Sequence, residues 1–235
     1  IATGHYAKIQ ERDGKYFVEC GTNEKKDQSY MLYRLPAEIV DRLILPLGEI
    51  DDKEKVRDLV RDFGVFNADD KDSQEICFVP NDDYISFLAS RKITSPKGNF
   101  VDKSGAVLGT HNGIINYTVG QRKGLGAFGK PMFVNSINAN NNTVVIGENG
   151  TQYCKGLIAD RLNFIAFDSL TEPLRAEVKI RFRAKEQPAL ITPLDGDKIQ
   201  IIFDEPQRSI TPGQSAVIYD GNTIIGGGRI IEQID

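Results

Sequence analysis

The chain has 235 residues, of which 40% are apolar, and it carries a formal net charge of −4. This length is enough for two or three small domains with ordinary hydrophobic cores. Because the overall charge is negative, any nucleic-acid binding has to come from a local basic patch. The longest apolar runs fall far short of the ~20 residues that span a bilayer, so we expect no membrane or export role.

The sulfur and imidazole side chains argue against a metal centre. The three cysteines are odd in number and widely spaced, and no pair has the Cys-x-x-Cys spacing of zinc ligands. The two histidines, His5 and His111, are equally scattered. We therefore predict no metal site, no disulfide framework and a location in the reducing cytoplasm.

The first part of the chain predicts a hairpin and three helices. Strands at 6–10 and 16–18 flank an Asp-Gly turn, and the polar segment 25–30 predicts a solvated loop. A short helix should open at Pro36, because proline is tolerated in a first helical turn. Apolar residues at helical spacing predict a helix over 51–64 with Asp51 as its cap, and a shorter helix over 82–90 with Tyr84, Phe87 and Leu88 inward.

Cys77 lies in the connection between the last two helices. A cysteine between Ile76 and Phe78 is most often a small buried hydrophobe. The four polar residues at 72–75 place it instead near a boundary where solvent can reach a thiol. The residues alone leave both interpretations of Cys77 open.

From about residue 95 the pattern changes to short strands separated by glycine and asparagine turns, which predicts a small β domain. Between its strands lies the basic loop 118–126, which lacks the spacing of a nucleotide-binding P-loop. Arg122 and Lys123 could contact phosphates there. A flexible basic turn explains the same residues equally well.

Residues 174–183 alternate between apolar and charged side chains, which predicts a strand with one buried face. Its other face carries four basic residues and one acidic residue, a pattern that fits either a polyanion contact or a solvated surface. Evenly spaced strands and tight turns continue to the end of the chain. Together they predict a closed barrel of about 80 residues.

Six motifs follow one another along the chain: Ala2–Ala7, Lys26–Tyr30, Asp72–Phe78, Thr118–Gly126, Phe203–Pro206 and Thr211–Ala216. In this order they resemble the bacterial tRNA-specific 2-thiouridylases of the MnmA family. The resemblance covers essentially the whole chain.

The resemblance implies an α+β, mostly β fold in three parts. Residues 1–82 would be the remnant of an α/β pyrophosphate-loop domain, 83–153 a small central β domain like a PRC barrel, and 154–235 a C-terminal β-barrel that binds tRNA. The family's Ser-Gly-Gly-x-Asp-Ser pyrophosphate loop and its first catalytic cysteine do not occur in the sequence. We therefore expect the chain to be the C-terminal part of a longer enzyme and to be inactive alone.

The implied activity is the ATP-dependent exchange of the 2-oxygen of a tRNA wobble uridine for sulfur. ATP adenylates the base, and a persulfide sulfur, supplied by a sulfur-relay protein or a cysteine desulfurase, displaces AMP. By motif, Cys77 matches the persulfide cysteine and Gly4 a glycine that contacts ATP. Phe182 replaces a tyrosine often found in the family, so packing or stacking is expected there without a hydroxyl contact. The tRNA-contacting positions would be His5, Lys26, Asp27, Gln28, Arg181, Phe182 and Gln214.

Two other functions compete with this assignment. The chain could be a non-catalytic RNA-binding module in which Cys77 only fills the core, or a sulfur carrier with no RNA role. Loss of thiolation on changing Cys77 would distinguish the enzyme from the first, and tRNA affinity would distinguish it from the second.

Overall fold

The structure is a computed structural model that describes residues 1–64, 78–79 and 83–235. It divides into two compact units. The first comprises Ile1–Asp69 together with Lys155–Asp235, and the second comprises Asp70–Cys154. In the described ranges, no helix is long and apolar enough to cross a membrane.

The predicted N-terminal hairpin is confirmed. Strands β1 (Ala7–Arg12) and β2 (Lys15–Cys20) pair in antiparallel register from Ala7 opposite Cys20 to Arg12 opposite Lys15. The two turn residues, Asp13 and Gly14, have φ of 51° and 75°. Aspartate and glycine tolerate this left-handed conformation, which matches the twist of the two strands.

Three helices follow the hairpin: α1 (Ser29–Leu32), α2 (Ala37–Val40) and α3 (Lys53–Asp62). The helix predicted to open at Pro36 is confirmed as α2. The prediction of a solvated loop over 25–30 is wrong at its end, because Asp27 and Ser29 are buried and Ser29 begins α1.

The cap predicted for α3 is one residue out of place. Asp52 accepts a hydrogen bond from the amide of Glu54 at 3.0 Å and is the cap. Asp51 instead forms an ion pair with Lys55 at 2.7 Å. The apolar side of this helix is largely solvent-exposed at its C-terminal end, where Phe63 is 83% exposed.

The second unit contains a helix and a small sheet. Helix α4 (Tyr84–Ser90) is capped by Asp83, and its Tyr84 is exposed rather than inward as predicted. Phe87 and Leu88 are half-buried, in line with their predicted inward side. The sheet strands are β3 (Gly98–Val101), β4 (Val107–His111), β5 (Met132–Asn138) and β6 (Thr143–Glu148).

These four strands lie in the order β4-β3-β6-β5, with β3 and β6 parallel and the other pairs antiparallel. Phe100 is buried at the centre, with Tyr117 and Phe128 meeting it edge-on at 5.2 and 6.0 Å between ring centroids. The predicted small β domain therefore forms around an aromatic cluster.

The remaining strands close into a barrel, as predicted. They are β7 (Tyr153–Phe164), β8 (Leu174–Lys179), β9 (Gln187–Leu194), β10 (Lys198–Arg208), β11 (Ser215–Asp220) and β12 (Thr223–Ile234). Their order is β12-β11-β8-β9-β10-β7, and β7 pairs back onto β12. Strand β2 joins the same sheet at the outer side of β12. The α+β, mostly β fold class is thus confirmed, while the division into three domains stays a prediction.

The strand predicted over 174–183 is shorter than expected. Val178 points into the barrel, as the alternation predicts, but β8 ends at Lys179. The amide of Ala184 then donates to the carbonyl of Arg181 at 3.0 Å, which turns the chain toward β9. Phe182 lies in this turn and is 39% exposed, so its predicted place on the buried face is wrong.

Candidate functional site

The loop between β2 and α1 is organised by the carboxylate of Asp27. One oxygen accepts hydrogen bonds from the amides of Gly21 at 2.9 Å and Ser29 at 3.2 Å, and the other accepts from the Ser29 hydroxyl at 2.8 Å. The Asp27 side chain is only 6% exposed. Its two neighbours, Lys26 and Gln28, are half-buried and reach the surface. Asp27 therefore fixes the loop from within.

Gln28 joins this loop to the first motif of the chain. Its side-chain carbonyl accepts from the amide of Tyr6 at 3.0 Å, and its own amide donates to the carbonyl of Tyr6 at 2.9 Å. His5 precedes Tyr6, and its Nδ1 lies 2.9 Å from the hydroxyl of Thr3. The first two sequence motifs are therefore adjacent in space, with His5 beside the 26–28 loop.

Gly4 lies exposed just before His5. A Cβ atom at this position would meet the Leu47 side chain at 3.6 Å, which is an ordinary contact. Packing inside the protein therefore does not require a glycine here. The absence of a side chain leaves the backbone open to a ligand from the solvent side.

Lys179 brings the barrel to the same loop. Its ammonium lies 2.9 Å from the carboxylate of Glu186 and 3.9 Å from that of Asp27, and its side chain is only 10% exposed. The ammonium also lies 5.9 Å from the ring centroid of Tyr219, whose hydroxyl is 3.3 Å from that of Ser29. The sequence pattern placed Lys179 on an outward face, and this is corrected: the N-terminal segment covers that part of the barrel.

Cys20 lies beside this network. Its sulfur is 3.6 Å from the Ser29 hydroxyl. Burial raises the pKa of the Cys20 thiol, and the nearby carboxylate of Asp27 raises it further. A thiol in these surroundings stays protonated at neutral pH, so Cys20 is not an activated nucleophile.

Tyr30, on α1, connects the loop to the two barrel motifs. Its hydroxyl donates to the carbonyl of Ser215 at 2.9 Å, directly after Gln214. Its ring lies 6.4 Å from that of Phe182 between centroids. Burial raises the pKa of Tyr30 to about 12, so the phenol stays neutral and remains a hydrogen-bond donor. Arg181, next to Phe182, donates to the carbonyl of Arg208.

Gln214 occupies an exposed turn between β10 and β11. Its amide donates to the carbonyl of Thr211 at 3.1 Å, and its carbonyl accepts from the amide of Ile230 at 2.8 Å. Gly213 has φ of 92°, a conformation in which a side chain would be strained. The backbone of this turn is therefore fixed, while the Gln214 side chain faces solvent.

A glycine on β12 lets the N-terminal segment approach the barrel. A Cβ at Gly227 would come within 2.7 Å of the Tyr33 ring and 2.6 Å of the carbonyl of Ala216. Nearby, the side-chain amide of Asn163 donates to the carbonyls of Tyr33 at 2.7 Å and Leu35 at 3.1 Å. These contacts seat residues 29–35 directly on the barrel wall.

In the first unit, the structure thus gathers the predicted tRNA-contacting residues from four separate stretches of sequence, although Asp27 is buried inside its loop rather than at the surface. We use the name Tyr30 surface for the other predicted contacts together with the buried Tyr30 that links them: His5, Lys26, Gln28, Tyr30, Arg181, Phe182 and Gln214. Sequence reasoning missed Tyr30 and Lys179 as the residues that link these stretches. Tyr30 belongs to the motif Lys26–Tyr30, but the sequence assigned no role to it. The predicted catalytic residue, Cys77, lies outside the described residues.

The basic loop 118–126 belongs to the second unit. The side chain of Gln121 fixes it by accepting from the amide of Thr118 and donating to the carbonyl of Lys123, both at 2.9 Å. Arg122 and Lys123 are exposed. The loop is therefore a shaped turn with its two cations in solvent.

Three family models match successive parts of the chain. A tRNA methyl transferase HUP domain matches residues 1–81, a tRNA methyl transferase PRC-barrel domain matches 85–148, and an aminomethyltransferase beta-barrel domain matches 154–230. The tRNA-specific 2-thiouridylase MnmA of Carboxydothermus hydrogenoformans is 49% identical over all of this chain. The chain belongs to the MnmA family.

Other MnmA proteins show the same degree of similarity. Those of Clostridioides difficile and Acetivibrio thermocellus are each 49% identical over 98% of this chain. The chain spans 65%, 64% and 65% of the length of these three relatives, in the order given. The matching relatives are named for thiolation, whereas two of the matching models are named for methyl transfer.

Proposed function

We propose that this chain is the tRNA-binding and persulfide-bearing part of a tRNA uridine 2-sulfurtransferase. The observation that carries the proposal is the convergence of the predicted tRNA contacts on the Tyr30 surface. The names of the relatives support thiolation as the reaction, because these relatives are 49% identical to this chain over 98% or more of its length.

The Tyr30 surface and the turn 181–185, which contributes Arg181 and Phe182 to it, have the chemistry that RNA recognition needs. The turn 181–185 carries three cations in five residues, Arg181, Arg183 and Lys185, all exposed. Cations placed in this way contact phosphates without reading sequence. Phe182, at the tip of the same turn, offers an exposed ring for packing or stacking against a base.

The residues near Gly4 would contribute one part of an ATP site. The open backbone of Gly4 fits close approach by a nucleotide, and the phosphate cradle would come from residues other than the described ones. When bound, ATP would activate the uridine 2-oxygen as a leaving group by adenylation. The role of this chain is to hold the tRNA and to carry a persulfide on Cys77. The outer sulfur of the persulfide would bond to the uridine as AMP leaves, and a second thiol would then break its S–S bond to Cys77 and form a disulfide with Cys77.

The sulfur on Cys77 has to be supplied by another protein. We propose a sulfur-relay protein or a cysteine desulfurase as this partner, acting in the cytoplasm. The donor would need to reach Cys77 as an accessible thiol, because only an accessible thiol can receive a persulfide by exchange.

The activity can be tested in the intact enzyme with ATP, a sulfur donor and an unmodified tRNA transcript, using nucleoside mass spectrometry. Cys77→Ser should abolish 2-thiouridine while tRNA affinity stays within about twofold of wild type, because sulfur transfer needs the thiolate and RNA binding does not. Cys154→Ala is the matched control and should retain thiolation. Near-normal thiolation by Cys77→Ser would favour the binding-module function instead.

A further inference from the structure

Lys179 is a buried cation at the junction of the barrel and the 26–28 loop. Buried lysines are rare, because removing the ammonium from water is costly unless carboxylates compensate for it. Two carboxylates lie near Lys179, those of Glu186 at 2.9 Å and Asp27 at 3.9 Å. Glu186 stands just before β9, so both it and Lys179 belong to the barrel. Asp27 comes from the N-terminal segment.

Asp27 is itself the centre of the loop. One of its oxygens already accepts hydrogen bonds from the amides of Gly21 and Ser29, and the other accepts from the Ser29 hydroxyl, so the chain closes around this carboxylate. A change in the position of this carboxylate would therefore move Lys26 and Gln28, the residues on either side of it. Lys179 is the barrel cation nearest to this carboxylate among the ion pairs of the described residues.

Lys179 is poorly placed to contact RNA directly. Its side chain is 10% exposed, and its ammonium is engaged by Glu186. Arg181 lies only two residues further along the chain and is exposed. The same short stretch therefore holds one cation inside the protein and presents the next one to solvent.

We propose that Lys179 is a positioning residue for tRNA binding. It holds Asp27, and through Asp27 the loop that presents Lys26 and Gln28, without contacting the RNA itself. This role rests on the proposed tRNA-binding function. Through Lys179, the position in which Lys26 and Gln28 meet the tRNA depends on strand β8, which leads to Arg181 and Phe182.

A double-mutant cycle on the full chain tests this role, with an unmodified tRNA transcript as the probe and affinity measured at several salt concentrations. Lys179→Met should weaken binding about tenfold, comparable to the loss of a charged hydrogen-bonded contact. Adding Lys26→Ala to Lys179→Met should weaken binding by no more than about twofold, because the Lys26 contact is already lost. Adding Arg181→Ala to Lys179→Met should instead weaken binding by the product of the two single-variant effects.

The salt dependence gives a second readout that a general loss of structure would not reproduce. Lys26→Ala and Lys179→Met should each lower the salt slope by about one, and the double variant should also lower it by about one. If Lys179 contacted a phosphate directly, the slope would fall by about two in the double variant and the affinity effects would multiply. That result would overturn the proposal.

Two further variants control for folding. Lys155→Met removes an exposed lysine from the barrel strand β7 and should bind tRNA like wild type. If Lys179→Met does not fold, Ser29→Ala is a gentler change. It removes one of the hydrogen bonds to Asp27, together with the contacts of the Ser29 hydroxyl to Tyr219 and Cys20, and it should weaken binding about threefold. Unchanged affinity in a folded Lys179→Met or in Ser29→Ala would overturn the positioning role. If wild type itself does not bind tRNA, the proposed tRNA-binding function is overturned as well.

Discussion

Two cations of strand β8 lie on the same side of the barrel wall but in opposite surroundings. Arg175 donates two hydrogen bonds to Asp204 at 2.8 and 2.7 Å, and both side chains are about half exposed. Lys179, four residues on, is covered by the N-terminal segment and 10% exposed. The outer surface of the barrel is therefore exposed to solvent at Arg175 and buried under protein at Lys179.

This difference shows that part of the barrel wall forms an internal interface with the N-terminal segment of the same chain. Where residues 27–33 lie against β8, β11 and β12, Lys179 is buried beside Asp27, and Gly227 makes room for Tyr33. Away from this contact, the same alternation of side chains places Arg175 in water.

Removing either cation should show how its surroundings affect the stability of the protein, and the loss of stability should be larger at Lys179 than at Arg175. Lys179→Met leaves the Asp27 and Glu186 carboxylates without their buried cation, and breaking a buried pair in this way costs about 3 kcal/mol. We expect a loss of this size in the free energy of unfolding measured with urea. A loss near zero would mean that the network does not stabilise the junction.

Tyr30→Phe should have an intermediate effect. It removes the hydrogen bond to the Ser215 carbonyl, a loss of about 1 kcal/mol. Because burial raises the pKa of Tyr30 to about 12, the native state disfavours the phenolate. The contribution of Tyr30 is therefore constant below about pH 10, where an unfolded tyrosine stays neutral, and decreases between pH 10 and 12.

Denaturant titrations of wild type and Tyr30→Phe across this pH range provide the measurement. The stability advantage of wild type over Tyr30→Phe should narrow as the pH rises from about 10 to 12. An advantage that is the same at pH 8 and pH 12 would show that the environment of Tyr30 does not disfavour the phenolate.

Arg175→Ala should have the smallest effect. The Arg175–Asp204 pair holds the pKa of Asp204 below its ordinary value, but both groups are solvated and screened. We expect the melting temperature to stay unchanged within the error of a calorimetric scan at physiological salt. A drop as large as that of Lys179→Met would remove the contrast between the two positions.

Local patterns in the sequence were enough to predict many of the elements, although not α1 or the end of β8. The Asp13-Gly14 turn, the start of α2 and the alternation of β8 each depend on backbone preferences or on burial of one face, which neighbouring residues determine. The closed barrel was predictable in the same way, from evenly spaced strands and turns.

The candidate site was less predictable, because it depends on contacts between residues far apart in the chain. Alternation indicated which side of β8 carries Lys179, but not that the N-terminal segment covers that side. The burial of Asp27 and Ser29 has the same cause. A run of polar residues predicts a solvated loop, and local sequence does not show that the barrel covers this run. Motif resemblance assigned candidate roles to these stretches, but the contacts that join them come only from the fold.

Amide hydrogen exchange of the full chain, with and without an unmodified tRNA transcript, tests the central claim most directly. If the N-terminal loop and the barrel form one RNA-binding surface, peptides covering 22–30, 181–186 and 209–215 should all gain protection at the same tRNA concentration. Unchanged exchange in these three segments, with protection confined to residues such as 107–111 of the second unit, would contradict the account.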